Sequence, residues 1–269
     1  MAKKLRIATW NINSLRLRLG HIGRIVDELN PDVLCLQETK VPDELFPAEG
    51  LAQFGYKHVR FRGMKAYNGV AILSRLPLDA HDIGPDWCGK GDCRHIAALL
   101  NLPSGPLEIN NFYVPAGGDV ADRGVNVKFG HKLDFVSEAT TWFAGRTKLA
   151  RTVLVGDLNI APQEHDVWSH KQLLDVVSHT PVETSGLNLW RDATFIDAIR
   201  HFVPDDQKLY TWWSYRNRDW RVANRGRRLD HIWVTPDLKP ALKRHDILVD
   251  ARDWVQTSDH VPVCVELQV

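Results

Sequence analysis

Short apolar runs recur along this chain, and several stop abruptly in a cluster of carboxylates and amides. Residues 5–10 run into Asn11 and Asn13, residues 33–36 into Gln37 and Glu38, and residues 153–155 into Gly156, Asp157 and Asn159. The run at 229–234 carries Asp230 at its start. Apolar runs this short, bounded by turn residues, read as buried strands. Further strands are expected over 70–73, 97–102, 107–114 and 261–267. Asn68-Gly69 reads as a turn before the first of these, and Pro103-Ser104-Gly105 as a turn inside the next pair. Amphipathic helices are expected over 19–29, ended by Asn30-Pro31, over 129–143, and over most of 186–202. Strands joined by short turns and interrupted by few helices imply a layered α/β or α+β architecture, with sheets packed face to face and helices outside.

The chain has 269 residues, 44% of them hydrophobic, enough to bury a core without disulfides or structural metals. No linker or shift in composition divides it, so a single domain over 1–269 is expected. No apolar stretch reaches 18 residues and the N-terminus does not read as a signal peptide, which predicts a cytoplasmic protein that enters no membrane. Cys35, Cys88, Cys93 and Cys264 form no CxxC pair, which speaks against zinc and for free thiols. The formal net charge is +1, so any polyanion would have to meet a local basic face.

The clusters at the strand ends carry the chemistry. Asn11 and Asn13 are two residues apart, as are Asp157 and Asn159, and in extended chain such pairs share a face. A lone Asp or Asn at a strand end is commonly a turn or cap residue, but several such clusters together point to one site. Carboxylate and amide oxygens without thiols suit a hard cation such as magnesium, and water attack on a phosphodiester needs such a cation with a positioned base. Ser258-Asp259-His260 is not read as a serine triad, because triads assemble from separate loops and no GxSxG elbow is present. His260 is read instead as a partner to a carboxylate that fixes its tautomer. His165, His170 and His179 have no helical ligand spacing and are expected on the surface or the substrate side.

Residues 208–230 bring together Lys208, Arg216, Arg218, Arg221, Arg225, Arg227 and Arg228 against Asp219 and Asp230. Trp212, Trp213, Tyr215 and Trp220 are interleaved with them. Basic groups track phosphates, and aromatic faces receive a displaced nucleotide or wedge into a stack. Adjacent Trp212 and Trp213 should face opposite ways, one packed and one free.

The ordered motifs resemble the exonuclease III family of AP endonucleases, within the endonuclease/exonuclease/phosphatase superfamily. They are the WNINSLR segment at 10–16, LQETK at 36–40, NFYVP at 111–115, VGDLNI at 155–160, YTWWSYR at 210–216, RLDH at 228–231 and SDH at 258–260. The resemblance spans residues 5 to 267. It implies a four-layer α/β sandwich with two central, mainly antiparallel sheets flanked by helices. It also implies that Glu38, with Asn11, holds the catalytic Mg2+, for which Mn2+ could substitute. Asp157 would position or deprotonate the attacking water, and Asn159 would bind phosphate or orient Asp157. Asp230 and His260 would pair, with His260 on the scissile phosphate. Asp259 would help at a metal site, and Tyr113 would contact the phosphate or the leaving oxygen. The number of metals and the identity of the base stay open.

By the same resemblance Trp212 and Leu229 line the pocket for a deoxyribose lacking its base, and Tyr67 lies near the minor groove. Arg216 and Arg227 are taken as DNA contacts. The implied partner is duplex DNA with abasic sites or 3′ ends, met by a monomer. The implied activity is hydrolysis 5′ to abasic sites, removal of 3′-terminal nucleotides and 3′ blocks, or both, in base excision repair. The chain departs from the pattern at Ala116, where the family often has Asn or Gln, and the N–H groups of Gly117 and Gly118 are the expected substitutes. Segments 117–128 and 164–181 are where substrate choice is expected to lie. The rival readings are a phosphatase or phosphodiesterase of the same superfamily acting on a non-nucleic-acid phosphoester, and a binding module without activity. The Trp/Arg-rich segment argues against the first, and the filled catalytic positions against the second.

Overall fold

The computed structural model describes residues 3–81, 84–146, 149–217 and 219–269, so Arg218 of the basic segment lies outside the described residues. The strands are β1 Lys4–Asn11, β2 Val33–Gln37, β3 His58–Met64, β4 Tyr67–Ser74, β5 Leu78–Ala80, β6 His95–Leu100, β7 Leu107–Tyr113, β8 Thr152–Asp157, β9 Ile196–Asp197, β10 Asp230–Val234, β11 Leu242–Ile247 and β12 Val263–Gln268. The helices are α1 Leu15–Leu29, α2 Ala48–Ala52, α3 Val127–Ala144, α4 His170–Leu173, α5 Pro181–Asp192 and α6 Trp220–Ala223.

Two six-stranded sheets run in the orders β11-β12-β1-β2-β4-β3 and β5-β6-β7-β8-β10-β9. Each has one parallel pair, β1 with β2 and β7 with β8, and is otherwise antiparallel. Alternation along the strands builds the layers. Val33 and Cys35 join Val153, Val155 and Ile232 between the sheets, while Leu34 and Leu36 pack outward with Ile22, Ile25 and Leu29 of α1. On the other side, Phe112, Leu154 and Trp233 pack against Phe135 and Phe143 of α3 and Trp190 of α5. The order is therefore helix, sheet, sheet, helix.

The inner layer changes character along its length. Leu5 and Ile7 give way to Thr9 and Asn11, Val33 and Cys35 to Gln37, and Leu107 and Ile109 to Asn111. The buried amides satisfy one another: Gln37 Nε2 donates to Thr9 Oγ1 at 2.9 Å and to Asn111 Oδ1 at 2.6 Å. Asn111 Nδ2 donates across the sandwich to the carbonyls of Leu36 and Ala71, both at 2.9 Å. Buried polar groups persist only when paired, so this network fixes how the two sheets meet beneath the polar end.

Two expectations need correction. Asn68-Gly69 is not the turn: Lys65-Ala66 is, and Asn68 and Gly69 lie inside β4 with φ of 38° and 94°. A Cβ at Gly69 would overlap Thr39 Oγ1, so the glycine serves close approach. The expected helix over 186–202 starts earlier and stops sooner. Thr180 and Glu183 form a capping box with Pro181 at the first turn, and the chain then pairs Ile196–Asp197 with β10. Its apolar spacing was misleading because Asp197 accepts from the Ile199 and Arg200 N–H groups and turns the chain. The edge strands β3, β5, β9 and β11 carry too few buried residues for the sequence pattern to mark them.

Gly156 sits one residue before Asp157 with φ of 146°, and a Cβ there would overlap the Phe112 carbonyl on β7. Gly156→Ala is expected to lower the unfolding free energy by more than about 2 kcal/mol. Urea denaturation checks this, and a loss within about 0.5 kcal/mol of zero would contradict the close approach.

Candidate active site

The polar ends of β1, β2, β7, β8 and β10 meet at one edge of the sandwich, at the floor of a cleft of roughly 770 Å³. Glu38, Tyr113, Asp157, Asn159, Asp259 and His260 line it. Glu38 and Asn159 hold left-handed backbone, with φ of 51° and 54°. Strain of this kind in non-glycine residues gathers at functional sites. It also corrects the shared-face argument for Asp157 and Asn159. Asn159 folds back so that its N–H donates to Asp157 Oδ1 at 2.9 Å and its Nδ2 to Oδ2 at 3.1 Å.

Asp157 and Asp230 stand directly opposite one another on the antiparallel pair β8/β10. Two buried like charges there would repel. His260 resolves the conflict: Nδ1 lies 2.8 Å from Asp230 Oδ2, and Nε2 lies 3.7 Å from Asp157 Oδ2. Burial alone would lower the imidazole pKa, but the Asp230 and Asp157 carboxylates outweigh it and raise it to about 10. Burial pushes the Asp157 carboxyl well above the usual range, with His260 opposing and Asp230 adding to the rise. Thr211 Oγ1 donates to Asp230 Oδ2 at 2.6 Å and completes the brace. Ligand atoms of these three residues lie within 4.8 Å of one another, close enough to embrace an ion. A doubly protonated imidazole has no lone pair to offer, so His260 itself is the cation of this trio.

Glu38 faces the trio. Its Oε1 accepts from Asn11 Nδ2 and Tyr113 Oη, both at 2.9 Å, and its Oε2 lies 2.8 Å from Lys40 Nζ. Burial alone would raise its pKa, but Lys40 with the hydrogen bonds from Asn11 and Tyr113 outweighs it and holds the pKa below the ordinary value. Asn11 Nδ2 also donates to Asp157 Oδ2 at 2.8 Å and so links the two halves. The donors here are oxygens, and no thiol lines the cleft among the described residues. An ionised carboxylate with amide oxygen beside it fits a hard divalent cation. Asn11 Oδ1 accepts from the Asn13 N–H at 3.0 Å, so Asn11 would serve such an ion only after its amide turns over.

The wall of the cleft holds most of the expected DNA-facing residues. Leu229 packs with Leu173, and Trp212 packs against that cluster. Trp213 is buried on the other side, so the adjacent tryptophans divide as their alternation implied. Trp212 Nε1 donates to Asp259 Oδ2 at 2.9 Å, and Asn13 Nδ2 to Asp259 Oδ1 at 3.3 Å. Both Asp259 oxygens thus accept hydrogen bonds, one of them from the indole. Arg216, Arg225 and Arg227 line the cleft. Arg228 does not: it is buried, paired with Asp166 and Asp197, because the apolar neighbours demand a counter-charge. Arg221 pairs instead with Asp250 and Asp253. Tyr67 stands outside the cleft wall, and its hydroxyl accepts from Arg94 Nη2 at 2.6 Å. His179 is buried, contrary to expectation, with Nδ1 donating to the Ala161 carbonyl and Nε2 facing His170 Nδ1 at 2.7 Å. Gly118 and Asp119 of the first expected specificity segment border the cleft, with Ala116 just before it, as do Gln172, Val176 and Ser178 of the second. The N–H groups of Gly117 and Gly118 have no backbone partner among the described residues.

Two positioning residues escaped the sequence reading. Arg94 is buried, with its guanidinium 4.9 Å from the Tyr113 ring centroid and 5.2 Å from that of Tyr67. Lys132 is fully buried and pairs with Glu183 at 2.5 Å. Its Nζ donates to the carbonyls of Asn159 at 2.8 Å and Ala116 at 3.3 Å, while Glu183 accepts from the N–H groups of Ser178 and Thr180. One ion pair thereby ties three loops around the cleft. The capping-box spacing of Thr180 and Glu183 was a visible signal, but nothing in the sequence pointed from it to Lys132.

With this fold and this site, the chain belongs to the endonuclease/exonuclease/phosphatase family, whose model matches residues 8–260. Exodeoxyribonuclease III of Haemophilus influenzae is 30% identical over 98% of this chain and 100% of its own length. DNA repair nuclease APEX1 of Danio rerio is 31% identical over all of this chain and 84% of its own length. Among solved structures, a 3′ phosphatase from Neisseria bound to a product DNA hairpin superposes with a TM-score of 0.89 at 31% identity, covering 98% of this chain and 100% of its own. An AP endonuclease from Archaeoglobus fulgidus gives 0.88 at 30% identity with the same coverage of both chains.

Removing one partner of a buried ion pair leaves the other charge stranded. Lys132→Met is expected to cost about 3–5 kcal/mol of stability, and Lys132→Met with Glu183→Leu to recover part of that loss. Chemical denaturation of the full set of variants checks it. A single variant as stable as the parent would show that the pair holds nothing.

Proposed function

We propose that the chain is a magnesium-dependent phosphodiesterase of duplex DNA, hydrolysing the backbone 5′ to abasic sites and removing nucleotides or blocks from 3′ ends. The observation that carries this reading is the facing of an ionised Glu38 by Asp157 and a protonated His260 across a cleft walled by Trp212, Leu229 and arginines. The relatives named as DNA nucleases, and the neighbour bound to a DNA hairpin, support DNA as the polymer.

Glu38 and Asn11 would hold the divalent cation, which when bound neutralises charge on the phosphate. Asp157 orients the attacking water and accepts its proton; its raised pKa makes it a stronger base than an exposed carboxylate. Asn159 fixes Asp157 through two hydrogen bonds. His260, charged and locked by Asp230, donates to a non-bridging phosphate oxygen as negative charge grows there. The Tyr113 hydroxyl, already on Glu38, would contact the phosphate or stabilise the leaving oxygen. Trp212 and Leu229 receive the sugar that lacks a base; an abasic nucleotide is extruded at little cost because nothing is unstacked.

The direct test uses a duplex bearing one central abasic analogue, with magnesium, manganese or EDTA. Incision 5′ to the lesion with either metal and none with EDTA is expected. An intact duplex under all conditions, with the protein folded, would overturn the reading. Glu38→Ala is expected to reduce kcat by at least about a hundredfold, and near-parental turnover at saturating magnesium would remove Glu38 from its role.

The pH dependence has a definite sign. Asp157 must be ionised, so activity falls as pH drops through its raised pKa. His260 must be charged, so activity falls again as pH rises towards about 10. A bell-shaped kcat/KM profile is expected, with its acid limb above the ordinary Asp value of about 4. An acid limb at that ordinary value would contradict the role given to Asp157.

A further inference from the structure

Lys132 is a lysine where the fold could take an apolar side chain. The other side chains that α3 buries, Phe129, Phe135, Val136, Ala139 and Phe143, are all apolar. Lys132 and its partner Glu183 are both fully buried, and burial lowers the Lys132 pKa, with Glu183 opposing. A buried ion pair is weak evidence of a gain in stability, because apolar residues of similar volume fill the same space without desolvating two charges. What an apolar pair cannot do is hold polar backbone in place.

The ammonium has three N–H donors, and it meets three acceptors. These are Glu183 Oε1 at 2.5 Å, the Asn159 carbonyl at 2.8 Å and the Ala116 carbonyl at 3.3 Å. No other hydrogen bond reaches either carbonyl among the described residues. The pair is itself fixed from two sides. Glu183 accepts from the Ser178 N–H through both oxygens at 2.9 Å, from the Thr180 N–H at 3.2 Å and from Thr180 Oγ1 at 2.7 Å. Gly117, with φ of 88°, lies against the lysine stem, where a Cβ would stand 2.9 Å from Lys132 Cδ.

The Asn159 carbonyl is the informative partner. Asn159 has left-handed backbone, which a non-glycine residue keeps only where its surroundings over-determine it. Its N–H and Nδ2 hold the two oxygens of Asp157, and Nδ2 also donates to the Val114 carbonyl at 2.9 Å. Lys132 therefore grips, by its carbonyl, the residue that grips Asp157. The line of contacts from Glu183 through Lys132 and Asn159 to Asp157 is unbroken. Neither Lys132 nor Glu183 lines the cleft, so any part they take in the reaction passes through other residues.

We propose that the Lys132–Glu183 pair is a positioning device for the reaction, holding Asn159 in its left-handed conformation and so aiming the Asp157 carboxylate at the attacking water. The inference rests on the phosphodiesterase reading above and adds to it two residues that act through Asn159. It separates what the pair does for catalysis from what it does for stability: replacing both charges by apolar groups restores packing but leaves the Asn159 carbonyl unheld.

The test is a cycle of four proteins on the abasic duplex with magnesium: the parent, Lys132→Met with Glu183→Leu, Asn159→Ala, and all three substitutions together. Denaturation curves establish that each is folded at the assay temperature. The pair variant is expected to lose about tenfold to a hundredfold in kcat, the scale of a small misplacement of a reacting group. Alanine at 159 removes the side-chain bond to Asp157 and disfavours left-handed backbone. Adding the pair variant to Asn159→Ala is therefore expected to lower kcat by less than about threefold further, since residues acting as one unit are not additive. A pair variant within about threefold of the parent would overturn the proposal and leave the pair with a structural part alone. So would a full second loss in the Asn159→Ala background, which would mean that the pair acts by another route. In both cases the cleaving parent keeps the phosphodiesterase reading standing, whereas a folded parent that cuts nothing overturns that reading and the proposal with it. Should the pair variant not fold, Glu183→Gln, which keeps the shape of the side chain and removes its charge, carries the same cycle with the same expected outcomes.

Discussion

Two buried carboxylates face each other across β8 and β10, and a single imidazole keeps them there. Everything at the cleft floor follows from that arrangement. The register sets Asp157 opposite Asp230, and the repulsion requires a cation at fixed distance from both. His260 supplies it from the loop before β12, whose pairing with β1 brings that loop to the same end of the sandwich. The cost of holding three charges out of water is offset by their mutual attraction and by the Thr211 hydrogen bond. The resulting imidazolium is aimed at the cleft before any substrate arrives. Such preorganised charge is effective because nothing needs to reorient during reaction.

The inner layer explains why the site stands where it does. Along β1, β2, β7, β8 and β10 the inward residues pass from aliphatic to polar, ending in Asn11, Gln37, Tyr113, Asp157 and Asp230 at one edge. The apolar end binds the sheets together, and the Gln37–Asn111 contact sets their spacing nearer the cleft. A substitution in that polar layer would therefore act on Glu38 and Tyr113 through the strands that carry them.

This gradient was legible in the sequence. Apolar runs ending in Asn11, Glu38 and Asp157 marked the strand ends. The ordered motifs supplied the pairing of Asp230 with His260. What could not be read was set by contacts distant along the chain. Arg228 looked like its basic neighbours until Asp166 and Asp197 were seen beside it. The amphipathic pattern over 129–143 gave Lys132 no part in the site, yet it is sealed beneath three loops by Glu183. Asn68-Gly69 has the composition of a turn, but its positive φ values serve the approach of β4 to Thr39. In each case local composition was compatible with two environments, and tertiary packing chose between them.

The charge state of His260 is the centre of this account. Its ring nitrogens can be followed by 15N NMR in selectively labelled protein. At about pH 8, well above the ordinary imidazole value of about 6.5, both nitrogens of His260 are expected to be protonated, with the signal changing only as pH approaches about 10. A neutral ring at that pH would mean that Asp157 and Asp230 are not balanced by a cation from the protein, and the assignment of His260 as the electrostatic donor would fall.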